Sequence, residues 1–273
     1  MNTVFDTKRF GKYLTYDLNN ARNSYGRSLL ILALLPAIIF FFTEFFSLLF
    51  SFKFTSFDSS FVGIGFVIGL LVIYLTAPVK IYGALTEKKQ GTDWLMIPAS
   101  SFEKFLSMVI VMCVVLPLAY FAGFFACDLI LSLVPGYDGS FTIDGFDAVS
   151  GFLAGMSSND FISFSKPGLL GIVWVNWIVN ILIFTLGAIC FKKRKVANTI
   201  LCYFAFSILM MVVIVLIAGP DGYRMERFME HLEDNLTPDK LEFWINFIAN
   251  AVNTIEIAAV GTALYFRIKT MKH

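Results

Sequence analysis

Residues 29–50 read LLILALLPAIIFFFTEFFSLLF, 22 residues with a single charged side chain, Glu44. A helix needs roughly 20 consecutive apolar residues to cross the hydrocarbon core of a bilayer, so this run predicts a membrane span. Five further runs of the same kind follow, at 61–79, 105–133, 169–191, 196–219 and 242–266. They are continuous and do not alternate with period two, which excludes a β-barrel. The six runs cover about half of the 273 residues, and 28 mostly polar residues precede the first, so it reads as a true span and not as a cleaved signal. Composition agrees: 58% of residues are hydrophobic and 15% charged, against about 25% charged in an ordinary globular chain. Too few charges remain to cover a surface in water, which excludes a disordered segment, a nucleic-acid-binding domain and most soluble enzymes. The expectation is an all-α integral membrane protein, a single transmembrane domain over 1–273 with six transmembrane helices.

Orientation follows from the basic residues, which are retained on the cytoplasmic side of span ends. Of the 21 Lys and Arg, 16 fall in residues 1–28, 80–104, 192–195 and the tail, and 5 in the other three loops. Both termini are therefore expected in the cytoplasm, with 134–168 and 220–241 as outer loops. The four cysteines sit in apolar runs at spacings that match neither a metal site nor a disulfide framework.

Before the first span, Phe10, Tyr13, Leu14, Asp17, Leu18, Ala21 and Tyr25 recur at helical spacing among Lys8, Arg9, Lys12 and Arg22. The pattern predicts an amphipathic helix within 1–28, lying on the inner leaflet with its cations against anionic membrane lipids. Residues 80–104 are the most structured of the cytoplasmic segments. Pro78 is expected to kink or end the second span. Gly91 is placed to end a short helix over 83–90, and Ser100 with Glu103 has capping-box spacing for a helix leading into the third span. Trp94, Leu95, Met96 and Ile97 form an apolar patch that has to pack under the bundle or dock on a partner.

The stretch Tyr82-Gly83-Ala84-Leu85-Thr86-Glu87-Lys88-Lys89-Gln90-Gly91-Thr92-Asp93-Trp94-Leu95-Met96-Ile97-Pro98-Ala99-Ser100-Ser101-Phe102-Glu103-Lys104-Phe105 resembles the first cytoplasmic loop of type-2 ATP-binding-cassette exporter permeases. There a short helix is followed by a leucine-proline-small-small-x-glutamate turn into the third span; here Met96-Ile97-Pro98-Ala99-Ser100-Ser101-Phe102-Glu103 stand in that place. Six spans, cytoplasmic termini and an amphipathic first helix also match, so the resemblance covers the topology of nearly the whole chain and the residues of this loop. It implies that the loop couples to a separate ATPase subunit, with Gly83, Glu87, Gly91, Trp94, Pro98, Ser100 and Glu103 as candidate coupling residues. It also implies a plasma (inner) membrane protein working as a homodimer or with a related six-span partner. ATP and magnesium would belong to the partner subunit, with no cofactor in this chain. Independently, no G-x-x-x-x-G-K-[ST] run is present to cradle phosphates. A structural connector is the plainer reading of the same loop.

The outer loops are less informative. Residues 135–168 carry Asp138, Asp144, Asp147 and Asp160 without the spacing of a calcium loop. Phe146, Val149, Leu153 and Met156 read as a short helix over the bundle mouth, and 221–235 as an amphipathic helix too charged for deep re-entry. Within the spans, Asp128 and Glu242 lie near helix ends and read as able to reach water. Glu256 does not, because it falls mid-span, where a carboxylate costs on the order of 3 kcal/mol, so it is expected to face the bundle interior. Asn246, Asn250 and Asn253 share its helical stripe, Asn176 and Asn180 form a similar pair, and Glu44 lies in the first span. These seven residues line either a transport path or a subunit seam, or they are interhelical glue. The Gly65-x-x-x-Gly69 pair reads as close helix packing. No H-E-x-x-H, G-x-S-x-G or C-x-x-C arrangement occurs, so no enzyme activity and no metal site are expected of this chain. The functional expectation is the permease subunit of an exporter. A non-transporting scaffold or sensor that binds a partner through its outer loops is the alternative, and a proton-coupled carrier using Glu256 a third reading.

Overall fold

Asp6 accepts a hydrogen bond from the Lys8 amide at 2.9 Å, satisfying one of the free N–H groups at a helix start. Helix α1 begins there and runs Thr7–Ala33. The computed structural model describes residues 5–51, 57–58, 60–134, 137–138, 166–218 and 238–271. The helix does not stop where the polar segment ends: it enters the first apolar run and breaks at Leu34, and α2 (Leu35–Ser51) continues at 43° to it. Pro36 supplies the reason. It has no N–H to offer the carbonyl of Leu32, its ring crowds that turn, and it is tolerated only in the first turn of a new helix.

After β1 (Phe57–Asp58), α3 (Ser60–Tyr82) continues past Pro78. Pro78 therefore does not end the helix, which tightens five residues later into a 3₁₀ turn at Gly83–Thr86. Gly91 likewise ends nothing. Its N–H donates to the Glu87 carbonyl at 2.8 Å, closing the first turn of α4 (Lys88–Met96), and the break falls at Ile97, before Pro98. The Ser100–Glu103 capping box forms in both directions and opens α5 (Ser101–Ile110). A π-turn at Val111–Val115 joins it to α6 (Leu116–Leu131). Pro117 explains the turn: lacking an N–H, it leaves the helix to widen so that the Leu116 amide reaches back five residues to Val111. Beyond β2 (Tyr137–Asp138), which pairs in parallel with β1, come α7 (Lys166–Cys190), α8 (Lys195–Ala218) and α9 (Pro238–Thr270).

The chain is thus almost entirely helical among its described residues. Three helical stretches are long and apolar enough to cross a bilayer, Val62–Thr86, Ser101–Leu131 and Lys195–Val213, and the bent pair α1–α2 makes a fourth if it is one span. The segments 146–156 and 221–235, read above as outer helices, lie outside the described residues.

The helices α3, α5, α6, α7 and α9 bury the core, in which Ile73, Met108, Met112, Tyr120, Phe124 and Leu264 are fully enclosed. Phe66 of α3 stacks on Tyr120 of α6 at 5.6 Å. Gly65 and Gly69 face Ile39 and Tyr120 of the same chain, which makes them sites of close packing within one subunit. Helix α8 is different: every described side chain from Ile200 to Val213 is exposed. It is held mainly at its start, where Gly187 of α7 lies so close to Thr199 that a Cβ on the glycine would overlap the threonine side chain. Gly187→Ala is therefore expected to cost about 1–3 kcal/mol by overpacking, read as a lower unfolding temperature in detergent. Moving the small residue across the contact, in Gly187→Ala with Thr199→Gly, should restore most of it.

Candidate functional site

The expected aromatic stripe of α1 exists, but it faces protein. Tyr13, Asp17 and Tyr25 are buried, with Phe10, Leu14, Leu18 and Ala21 half-buried beside them. The i, i+4 spacing stacks Arg9, Tyr13, Asp17 and Tyr25 along one line, and each finds a partner on another element.

At the first rung the Arg9 guanidinium donates to both oxygens of Glu103, Nη2 to Oε1 at 2.6 Å and Nε to Oε2 at 2.9 Å. The same carboxylate accepts from the Asp6 amide at 3.0 Å and from the Ser100 amide at 2.8 Å. Glu103 is fully buried. Its hydrogen bond with Arg9, together with the backbone amides, holds its carboxyl down at about 2. At the second rung Trp94 Nε1 donates to the Tyr13 hydroxyl at 2.9 Å. Lys104 reaches over the Trp94 ring, 4.4 Å from its centre, and donates to the Trp94 carbonyl at 2.8 Å; burial pushes its ammonium down to about 8. At the third, Asp17 accepts from Tyr82 at 2.9 Å and Ser107 at 2.7 Å. Burial raises its carboxyl above the usual range. A fourth contact joins Tyr25 to Thr76 at 2.7 Å.

The ladder ties α1 to α4, α5 and the end of α3, and Lys195 adds α8 by donating to the Gly83 carbonyl. A cation there also suits the negative end of α3. Beside the ladder lies a cleft of about 640 Å³, lined by Asp17, Asn20, Ser24 and Lys80 among others.

This arrangement divides the candidate coupling residues in two. Gly83, Gly91, Trp94 and Glu103 are buried and Ser100 is half-buried, all turned into the chain, whereas Glu87 and Pro98 are exposed. Met96, at 76% exposed, and Phe102 carry the apolar surface that remains outside.

The intramembrane candidates separate further. Glu256 is exposed on α9, which corrects the expectation of an inward carboxylate: Leu264 and Ile268 supply the buried face of that helix. Asn180 is half-buried on α7, against which α9 packs. Glu44 is buried on α2, with Oε2 lacking a hydrogen-bond partner. The side chains of Asn176, Asn246, Asn250 and Asn253 lie outside the described residues. Asp128, read from sequence as free to reach water, is fully buried and accepts from the Tyr137 hydroxyl. The Tyr137 ring in turn packs on Phe40 at 5.5 Å. Among the described residues no three His, Cys, Asp or Glu side chains come together to hold a metal.

Compared with protein-family models, with curated proteins and with solved structures, the chain matches none. Its class is that of the fold itself, a helical protein built from apolar helices of membrane-spanning length.

Proposed function

We propose that the chain is the membrane-spanning permease subunit of an ATP-binding-cassette exporter in the plasma (inner) membrane. In this reading it has six spans with both termini in the cytoplasm and works as a homodimer or with a related six-span partner. A separate ATPase subunit binds ATP and magnesium. The observation that carries the reading is the state of the segment 83–104. It is bonded to α1 and to Lys195 of α8 from inside while Met96, Pro98 and Phe102 stay exposed. An element that receives a push needs a firm back and a free front, and the buried Trp94 and Glu103 with the exposed Met96 and Phe102 support that reading. Glu256 supports the seam: a carboxylate amid an apolar helix and exposed from a single chain costs least against a second subunit or a polar path.

The test is co-purification. The tagged chain is expected to bring down an ATPase that carries a P-loop, and Met96→Asp with Phe102→Asp is expected to abolish that association while leaving the unfolding temperature within a few degrees. A chain that purifies alone, or an association indifferent to both substitutions, overturns the reading.

A further inference from the structure

We infer that the groove between α1 and the π-turn is a binding site for one anionic phospholipid. The inference stands whether or not an ATPase associates with the chain.

The groove has two parts that share residues. Its inner part is an apolar slot of about 200 Å³, walled by Leu18, Tyr25 and Leu29 of α1 and by Val115, Leu116 and Ala119 across from them. Its outer part opens over Arg22, Asn23, Gly26, Arg27 and Leu30. Arg22 and Gly26 line both, so one molecule with a polar end and an apolar end fills the two together.

Three observations select the occupant. First, the slot owes its shape to the π-turn, since Val111 and Val115 belong to it, and Gly26 contributes no side chain opposite. A slot of about 200 Å³ is too small to take a partner helix, about 10 Å across, but accepts part of an acyl chain. Second, Arg22 and Arg27 make no ion pair or hydrogen bond with any described residue, and no acid lines either part of the groove. The nearest acid on α1, Asp17, is turned to Tyr82 and Ser107. Each guanidinium carries the fork that matches phosphate oxygens, and both line the outer part of the groove. Third, the arginines stand where α1 passes from its polar half into the apolar run 29–50, the level at which a lipid phosphate lies above its chains. Headgroup phosphate on Arg22 and Arg27 with one acyl chain along Leu29 and Leu116 satisfies all three.

The test uses the full-length chain purified in detergent and examined by native mass spectrometry with added dioleoyl-phosphatidylglycerol or dioleoyl-phosphatidylcholine. The wild type is expected to retain one phosphatidylglycerol per chain in preference to phosphatidylcholine. Arg22→Ala with Arg27→Ala removes two surface cations, each contributing on the order of a fivefold change near a membrane, so retention should fall roughly thirtyfold. Gly26→Leu fills the slot. A Cβ at Gly26 meets only Arg22 Cγ, at an ordinary 3.6 Å, so the chain should fold and lose the lipid with both arginines in place. Lys8→Ala with Lys12→Ala, which removes the same charge from exposed positions of α1, should leave retention unchanged. Equal retention of both lipids, a control as damaging as the arginine variant, or retention that survives Gly26→Leu would each overturn the assignment. So would a lipid-free dimer that the same three substitutions dissociate, which would give the groove to a second copy of the chain.

Discussion

Trp94→Ala is expected to be the most damaging single substitution in the segment 83–104, lowering stability by about 3–5 kcal/mol. The ring is 7% exposed and packed in the main core cluster, so truncation leaves a cavity that the surrounding helices cannot fill without moving. It also strips the Tyr13 hydroxyl of its donor and Lys104 of the ring beneath it. Trp94→Phe separates these effects. It keeps most of the buried surface and loses the N–H, so its cost should be nearer 1 kcal/mol. Chemical unfolding of the purified chain in detergent or nanodiscs measures both. If the two variants unfold together with the wild type, the side chain is not buried as described.

Glu103→Gln should release the start of α1 without disturbing the start of α5. Glutamine can still serve the capping box with Ser100, whereas it can no longer accept the two-pronged charged contact from Arg9. Hydrogen exchange should therefore accelerate by roughly tenfold or more for amides of the first turns of α1 and stay unchanged at the start of α5. Glu103→Ala should accelerate both. Arg9→Lys should not rescue the contact, since an ammonium cannot bridge both oxygens. The pH dependence has a definite sign. A carboxyl held at about 2 against an ordinary 4.5 contributes its full stabilisation above pH 4.5, and that contribution is lost as the pH falls from 4.5 towards 2. The protection that Glu103 gives the first turn of α1 should accordingly be flat from pH 5 upwards and decline only in acid. A decline centred near neutrality would assign the latch to another group.

These two residues also show where sequence reading succeeds and where it ends. The Ser100–Glu103 capping box is a three-residue local device, visible in the letters and present in the structure. Glu103's bond to Arg9 spans 94 positions, and no local pattern announces it. The stripe on α1 was legible as periodicity, but what it faces was not, since an aromatic stripe suits a headgroup layer and a protein groove alike. The i, i+4 line of Arg9, Tyr13 and Asp17 inside that stripe was the available signal, because polar tips at regular spacing on a buried face need partners. Pro36 and Pro117 were equally visible as letters. Their effects, a 43° bend and a π-turn, depend on which carbonyl loses its donor and on what packs nearby. Asp128 and Glu256 exchanged places relative to expectation, because depth along a helix can be counted from sequence and rotation about its axis cannot without the neighbours.

The ladder also imposes an order on synthesis. Helix α1 leaves the ribosome before the elements that satisfy it, whose partner residues arrive between 51 and 97 positions later. Until Tyr82 and Trp94 have been made, Asp17 and Tyr13 lack these partners, and the ladder is complete only once Glu103 and Ser107 follow. The closing of the ladder is thus a report, written into the first helix, that the second and third apolar runs have been delivered and correctly placed. A nascent chain in which either run is misplaced keeps an unlatched first helix, and a protease can read that defect at α1 without reaching the apolar core.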